Sequence, residues 1–445
     1  MNTPICDFVR RYAESGTLRF HMPGHKGHGP LGAEHLDITE IRGADSLFEA
    51  DGIIRESERN ASTLFSCPTF YSTEGSSLCI RAMIHMVATH AKEHGRTPLI
   101  WAARNAHKTF FSAVALLDVH VLWLEGQESD SYLSATLDVK QLDAQLCTTR
   151  EKPTALYLTS PDYLGRLADI PALAAVCHRH GVLLLVDNAH GAYLKFLPDS
   201  LHPVDLGADL VCDSAHKTLP ALTGGAYLHV GAKAPASFSA TAKNALSLFA
   251  STSPSYLILQ SLDALNPLLD GVYRHELQTF LPHVRALHAA LHDAGWTLYG
   301  DEELKLTLAT KPRGYTGDAV ADLLRTHGIE CEFSDPDFTV LMLSPAIGIA
   351  GLDALQNALA ALPPRAPLAV PPPVRTRAIA RTSIREAMLS PMEHIPTEHA
   401  QGRILALPSV ACPPAVPIVI PGEEIDASAI AAFRYYGIQS CYVVK

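Results

Sequence analysis

Paired cysteines, basic charge and long apolar runs are all scarce in this chain of 445 residues, and each scarcity removes a class of answer. Nine cysteines are scattered with no CxxC pair, so they read as buried or inert thiols in a reducing compartment. Acidic residues outnumber basic ones, giving a formal net charge of −11. That balance argues against nucleic acid or an anionic membrane as partner, since both favour a basic face. No stretch approaches the roughly 20 apolar residues of a membrane span. The opening MNTPICDFVRRYAESG lacks the basic-then-apolar order of a secretory signal. Internal repeats and low-complexity tracts are absent as well. These absences leave a cytoplasmic globular protein.

What is present is core. Hydrophobic residues make up 47% and charged residues only 18% of the chain, enough for a large α/β domain with a smaller appendage. Four segments begin as buried strands and end in polar residues: PLIWAARNAHK (98–108), TALYLTSPDY (154–163), GVLLLVDNAH (181–190) and ADLVCDSAHK (208–217). Helical patterns lie between them, as from Asp169, a candidate N-cap, to His180, with Gly181 as a stop. The alternation predicts a mainly parallel sheet covered on both faces. Ligands of such sheets bind outside the carboxyl ends of the strands, where each polar tail falls. After residue 271 a long helical segment, VYRHELQTFLPHVRALHAALHDAG, leads into shorter elements, and ALPPRAPLAVPPP (361–373) is expected to be an extended connector. The expected division is an N-terminal arm (1–45), a large domain (46–271) and a smaller α+β C-terminal region (272–445).

Chemistry gathers at the strand ends. Gly75-Ser76-Ser77 opens an amphipathic helix, where free N–H groups and hydroxyls would suit a phosphate, although a serine-capped helix has the same appearance. Asp187 follows an apolar run and needs a cation or donors to offset desolvation, or else is a structural cap. Lys217 ends the next strand-like run, with Ser214 and His216 beside it. An amine, a buried anion and phosphate donors are the groups that pyridoxal 5'-phosphate (PLP) requires: a Schiff-base lysine, a carboxylate for the pyridine nitrogen and a phosphate cup. His107, near Asn105 and Lys108, is flat enough to lie over such a ring, though an ordinary loop histidine fits equally. His21, His25 and His28 do not make a metal site, because Pro23 and Gly24 break their alignment and no fourth ligand is at hand.

HMPGHKG (21–27), DITE (37–40), NAHKT (105–109), TSPDYLG (159–165), VDNAHGAY (186–193), DSAHKTLPALTGGAYLH (213–229), STSPSYLILQSLD (251–263) and PAVPIVIPGE (414–423) follow one another as in the bacterial ornithine/lysine/arginine decarboxylases. The chain resembles the short form of that family. The resemblance implies an aspartate-aminotransferase-like α/β fold (PLP fold type I) and a PLP-dependent amino-acid decarboxylase acting as a homodimer with shared sites. It gives Lys217 the cofactor linkage and Asp187 the pyridine nitrogen. His107 would stack on one face of the ring and Ala189 on the other, with His190 near the phenolic oxygen. Ser76, Ser77, Ser214 and His216 would hold the phosphate. Ser251 to Ser253 would serve the neighbouring subunit's site, and Glu423 would meet the distal cation of the substrate.

Four positions depart from the family pattern. Its usual Asp-Glu-Ala-His reads Asp187-Asn188-Ala189-His190, and a later histidine is Tyr193. Glu74 stands where asparagine or aspartate is usual, and Ala106 replaces a cysteine. None removes the amine, the ring partner or the hydroxyls. The expected reaction is decarboxylation of arginine, lysine or ornithine to an amine for polyamine metabolism. An aminotransferase or other lyase on the same fold, or a silent dimeric binding protein, are the alternatives.

Overall fold

The computed structural model describes residues 1–126, 131–373, 379–408 and 414–445. Seven strands, β1 (Thr69–Ser72), β2 (Leu99–Ala103), β3 (His120–Leu124), β4 (Ala155–Thr159), β5 (Leu183–Asp187), β6 (Leu210–Asp213) and β7 (Ala226–Val230), form a sheet in the order β1-β7-β6-β5-β4-β2-β3. β5 pairs parallel with β6, and β2 pairs parallel with both β3 and β4. β7 runs antiparallel to β1 and β6. Each of the four predicted apolar segments supplies a strand, and the α/β class follows. Every residue of β6 and β7 is buried, as expected for a sheet covered on both faces. The helix expected over Asp169 to His180 spans Ile170–Arg179.

By contacts, the chain forms two compact units, Met1–His90 with Ile170–Gln278, and Ala91–Asp169 with Thr279–Lys445. In the first, Phe65, Tyr71, Phe196 and Tyr227 are fully buried, and the Phe65 ring stands edge-on to Phe196 at 5.6 Å. The opening segment is docked in this unit. Helix Pro4–Glu14 buries Ile5 and Val9, and the N–H groups of Ile5 and Cys6 donate to Asp263 Oδ2 at 3.0 and 2.9 Å. A carboxylate distant in sequence thereby satisfies orphan donors at the helix's positive end.

The second unit adds a four-stranded antiparallel sheet, β10-β11-β9-β8, made of β8 (Thr297–Tyr299), β9 (Lys305–Ala309), β10 (Phe333–Ser334) and β11 (Phe338–Met342). A two-stranded ribbon joins β12 (Met392–Pro396) to β13 (Ser440–Val444), over a core of Leu405, Ile418, Ile425, Phe433 and Val443. The proline-rich run has no regular secondary structure beyond Leu362 and is tied down at its start. Arg365 N–H donates to Arg313 O, Leu368 N–H donates to Lys311 O, and the Arg365 guanidinium lies 4.3 Å from the Tyr315 ring centre. Of the eight described cysteines, none in a disulfide, five are buried. Burial pushes the Cys6 and Cys177 thiols up to about 12, so they stay protonated and unreactive. Among the described residues no helix is long and apolar enough to cross a membrane.

The turn between β10 and β11 stores an unfavourable charge. Asp335 is buried, and its Oδ1 accepts the N–H groups of Asp337 and Phe338, both at 2.7 Å, while its Oδ2 has no partner among the described residues. Burial, with Asp337 and Asp318 nearby, pushes this carboxyl from 3.8 up to about 7. The folded protein therefore holds that proton more tightly than the unfolded chain, and stability falls as pH rises between those values. Asp335→Asn removes the ionisation and keeps the two accepted bonds. The variant should match wild type near pH 4 in denaturant unfolding and gain progressively toward pH 8, by up to about 4 kcal/mol.

Candidate active site

The first unit assembles its polar groups by strand pairing. Asp187 ends β5 opposite Cys212 of β6, and it is 2% exposed. Its Oδ1 accepts the N–H of Ala189 at 3.2 Å and faces the Cys212 Sγ at 3.6 Å. Lys217 lies in the short helix Ala215–Thr218 that follows β6. The next turn of chain after Asp187 brings His190 to it, with Lys217 Nζ 3.0 Å from His190 Nε2. At that distance one nitrogen must lack a proton, so the pair can pass a proton between Nζ and Nε2.

The two serine segments meet as well. Ser214 Oγ donates to Ser76 Oγ at 2.8 Å, both being buried. Helix Gly75–Glu93 begins here, so its first-turn N–H groups and the Ser76 and Ser77 side chains lie at a positive helix end. Gly75 has φ +70°, a conformation that favours glycine, and its N–H donates to Gly224 O at 2.8 Å. A side chain there would approach His216 Cε1, 3.9 Å from the Cβ position. His216 Nδ1 donates to Gly225 O at 3.0 Å, which leaves Nε2 for a ligand. Burial, with Lys217 adding to it, lowers the His216 pKa, so the ring is neutral until an anion arrives.

Beneath these groups lies a cluster that motif reading passed over. Asp213, fully buried, accepts from His202 Nε2 at 2.9 Å and His229 Nε2 at 3.0 Å on one oxygen, and from Asn188 Nδ2 at 2.7 Å on the other. Val204 N–H donates to His202 Nδ1, which places that ring's single proton on Nε2. On the far side of His229, Nδ1 is 2.9 Å from Thr69 Oγ1, whose hydroxyl donates to Cys67 O. A hydroxyl so engaged accepts from Nδ1, which makes His229 an imidazolium. Burial opposes that charge, but Asp213 outweighs it and the His229 pKa is raised. Burial likewise opposes the carboxylate, and the two imidazoles outweigh it, holding Asp213 well below the usual range. The contacts have hydrogen-bond lengths, so we read the cluster as an internal ion pair rather than a metal site. A sequence signal existed: Asp213 and His229 lie on strands whose other residues are apolar.

The remaining predicted residues have other neighbours. Glu74 Oε1 accepts the N–H of Ser251 at 2.7 Å, and Ser251 to Ser253 are exposed. Tyr193 is fully buried. In the second unit, His107 caps helix Lys108–Leu117, its Nδ1 accepting Thr109 N–H at 3.2 Å. Glu423 is buried, bonded at 2.8 and 3.0 Å to the two terminal nitrogens of Arg104, and it accepts Ile420 N–H. Arg104 was not anticipated, since 319 residues separate it from Glu423. The segment holding Glu423 is irregular chain touched by isolated bridges such as Ala380 to Glu423. A cavity of about 1090 Å³ in this unit is lined by Trp101, Arg104, Gln141 and Glu423 among others, and none of the Lys217 group lines it.

Removing Asp213 would leave three buried donors without their acceptor and one imidazolium without its counter-ion. Asp213→Ala should therefore cost about 3–5 kcal/mol in urea unfolding. His229→Asn, which keeps one donor, should cost less.

The donor set fits PLP: an amine, a buried carboxylate, and hydroxyls at a helix N-terminus with a neutral imidazole beside them. Comparison with known proteins points the same way. The chain matches the Orn/Lys/Arg decarboxylase major domain over residues 3–281 and the C-terminal domain of that family over residues 372–440. It is 29% identical to the uncharacterized protein YaaO of Bacillus subtilis, over 97% of this chain and 93% of that one. It is also 29% identical, with the same coverage, to an arginine decarboxylase of Halalkalibacterium halodurans. The lysine decarboxylase LdcF of Francisella novicida superposes with a TM-score of 0.79 at 15% identity, over 100% of this chain and 81% of that one. SPT with bound PLP shares the fold more distantly, with a TM-score of 0.54 at 14% identity over 69% of this chain and 75% of that one. The expected α/β architecture of PLP fold type I enzymes stands, and the chain belongs to the Orn/Lys/Arg decarboxylase family.

Proposed function

We propose that this protein is a PLP-dependent decarboxylase of a basic amino acid, with arginine as the first substrate to test. The observation that supports the proposal is that β5–β6 pairing sets the end of β5, with Asp187 and the turn whose His190 meets Lys217, beside the end of β6, where Ser214 meets Ser76. Arginine is favoured because relatives matched over nearly the whole chain in Halalkalibacterium halodurans and Bacillus subtilis bear the name arginine decarboxylase. We further place the protein in the cytoplasm as a homodimer whose amine product feeds polyamine metabolism.

Bound PLP supplies an electron sink for the bond broken at the α-carbon. The chain's own groups prepare for it. Asp187, a desolvated carboxylate, favours a protonated ring nitrogen, because an anion beside that site raises its pKa. Ser76, Ser77 and Ser214 offer hydroxyls to the phosphate, and a dianion beside His216 Nε2 would draw a proton onto that ring. The Lys217–His190 pair holds one shared proton that can be delivered to the α-carbon after carbon dioxide leaves. Ala189 is a small neighbour for the ring. The roles of His107 on the ring and of Glu423 and Ser253 on the substrate rest on family resemblance. Both Glu423 oxygens are bonded to the Arg104 guanidinium, so a substrate cation would have to compete with that partner.

Purified protein reconstituted with PLP should release carbon dioxide and agmatine from arginine, or the corresponding diamine from lysine or ornithine, with no keto acid. Lys217→Ala should lower the rate by at least about 1000-fold, as loss of a covalent catalytic group does. Keto-acid formation would redirect the assignment to transamination. Absence of any reaction across the three amino acids, with PLP bound, would support a silent scaffold.

A further inference from the structure

Asn188 is fully buried and bonds to β6 twice. Its N–H donates to Cys212 O at 2.9 Å, continuing the β5–β6 ladder by one rung, and its Nδ2 donates to Asp213 Oδ1 at 2.7 Å. Its carbonyl accepts Gly191 N–H at 2.8 Å, closing the turn that carries His190. Asp187 precedes it in sequence, and Lys217 follows Asp213 at the foot of a short helix. Its backbone thus closes the ladder and the turn that carries His190, and its carboxamide ties that same turn, next to the ring partner, to an anchor, Asp213, at the head of the lysine-bearing segment. The anchor is itself rigid, because His202 and His229 occupy the other oxygen of Asp213. A donor is needed at this place. Alanine would leave Asp213 Oδ1 without its side-chain donor, and an aspartate would set two carboxylates side by side in a buried site, where one must take up a proton.

We propose that Asn188 is a positioning residue for the decarboxylase reaction, holding Asp187 and His190 in register with Lys217 through its bond to Asp213. The inference rests on the PLP-dependent function proposed above and adds a residue to it. Supporting bonds of this kind matter to a reaction as well as to the fold, because small displacements misalign reacting groups.

The test uses the full chain, stripped of cofactor and titrated with PLP, for wild type, Asn188→Ala and Asn188→Asp. Asn188→Ala should weaken PLP binding about 10- to 100-fold and lower kcat by a similar factor. KM should stay within about threefold. The pH midpoint of the bound cofactor's visible band should move by about one unit as the Lys217–His190 contact loosens. Asn188→Asp should be weaker still at pH 8 and recover relative to wild type as pH falls, when its carboxyl gains the proton that makes it a donor to Asp213. A lowered Tm accompanied by wild-type affinity, kcat and pH midpoint would overturn the inference, leaving Asn188 a purely structural residue. Should Asn188→Ala not fold, an Asn188→Asp affinity that keeps a constant ratio to wild type from pH 6 to 8 would overturn it equally. Wild type failing to bind PLP would instead bring down the function itself, so the two failures are told apart.

Discussion

Parallel pairing of β5 with β6 sets Asp187 opposite Cys212, and the chain beyond each strand has only a few residues in which to turn. Within those residues it places Asn188 on Asp213, His190 on Lys217 and Ser214 on Ser76. A one-residue slip in this register would turn every side chain of one strand to the other face. Leu184 to Val186 are buried, and a slip would misfit their packing and pull the Asp187 carboxylate away from its donor at the strand end. Packing of the core therefore fixes the geometry of the polar end, and the site inherits its precision from the sheet rather than from the loops.

Buried charge is the cost of that arrangement, and the protein offsets it locally. Asp213 is balanced by His229 and hydrogen-bonded by His202 and Asn188, so its charge does not compete with that of Asp187 for a cation at the strand ends. Asp263 is held by helix N–H groups and Ser57. Lys305, fully buried, meets Glu302 at 3.3 Å and donates to Asp162 O. Asp335 has no cation beside it among the described residues and keeps its proton to near neutrality. Such pairs gain little net stability over apolar substitutes, but breaking one is severe, because the survivor is stranded in a low-dielectric interior.

Sequence made the strand ends legible because each begins with an unbroken apolar run and stops at polar residues, a local signal. Lys217, Asp187 and the serines stood out for the same reason. The partners did not. Nothing local links Asn188 to Asp213, His229 to Thr69, or Arg104 to Glu423; those contacts exist only once strands distant in sequence are paired. Asn188 was visible as a departure from the family's glutamate, yet its partner was not. The docking of helix Pro4–Glu14 on Asp263 was hidden in the same way, so the arm gave no sign of its anchor.

The central claim is that Lys217 joins PLP covalently beside Asp187. Loading the protein with PLP, reducing it with borohydride and mapping the modified peptide by mass spectrometry tests that claim most directly. A single pyridoxyl label on Lys217 is the predicted result. A label on any other lysine, or none after PLP has bound, would contradict it.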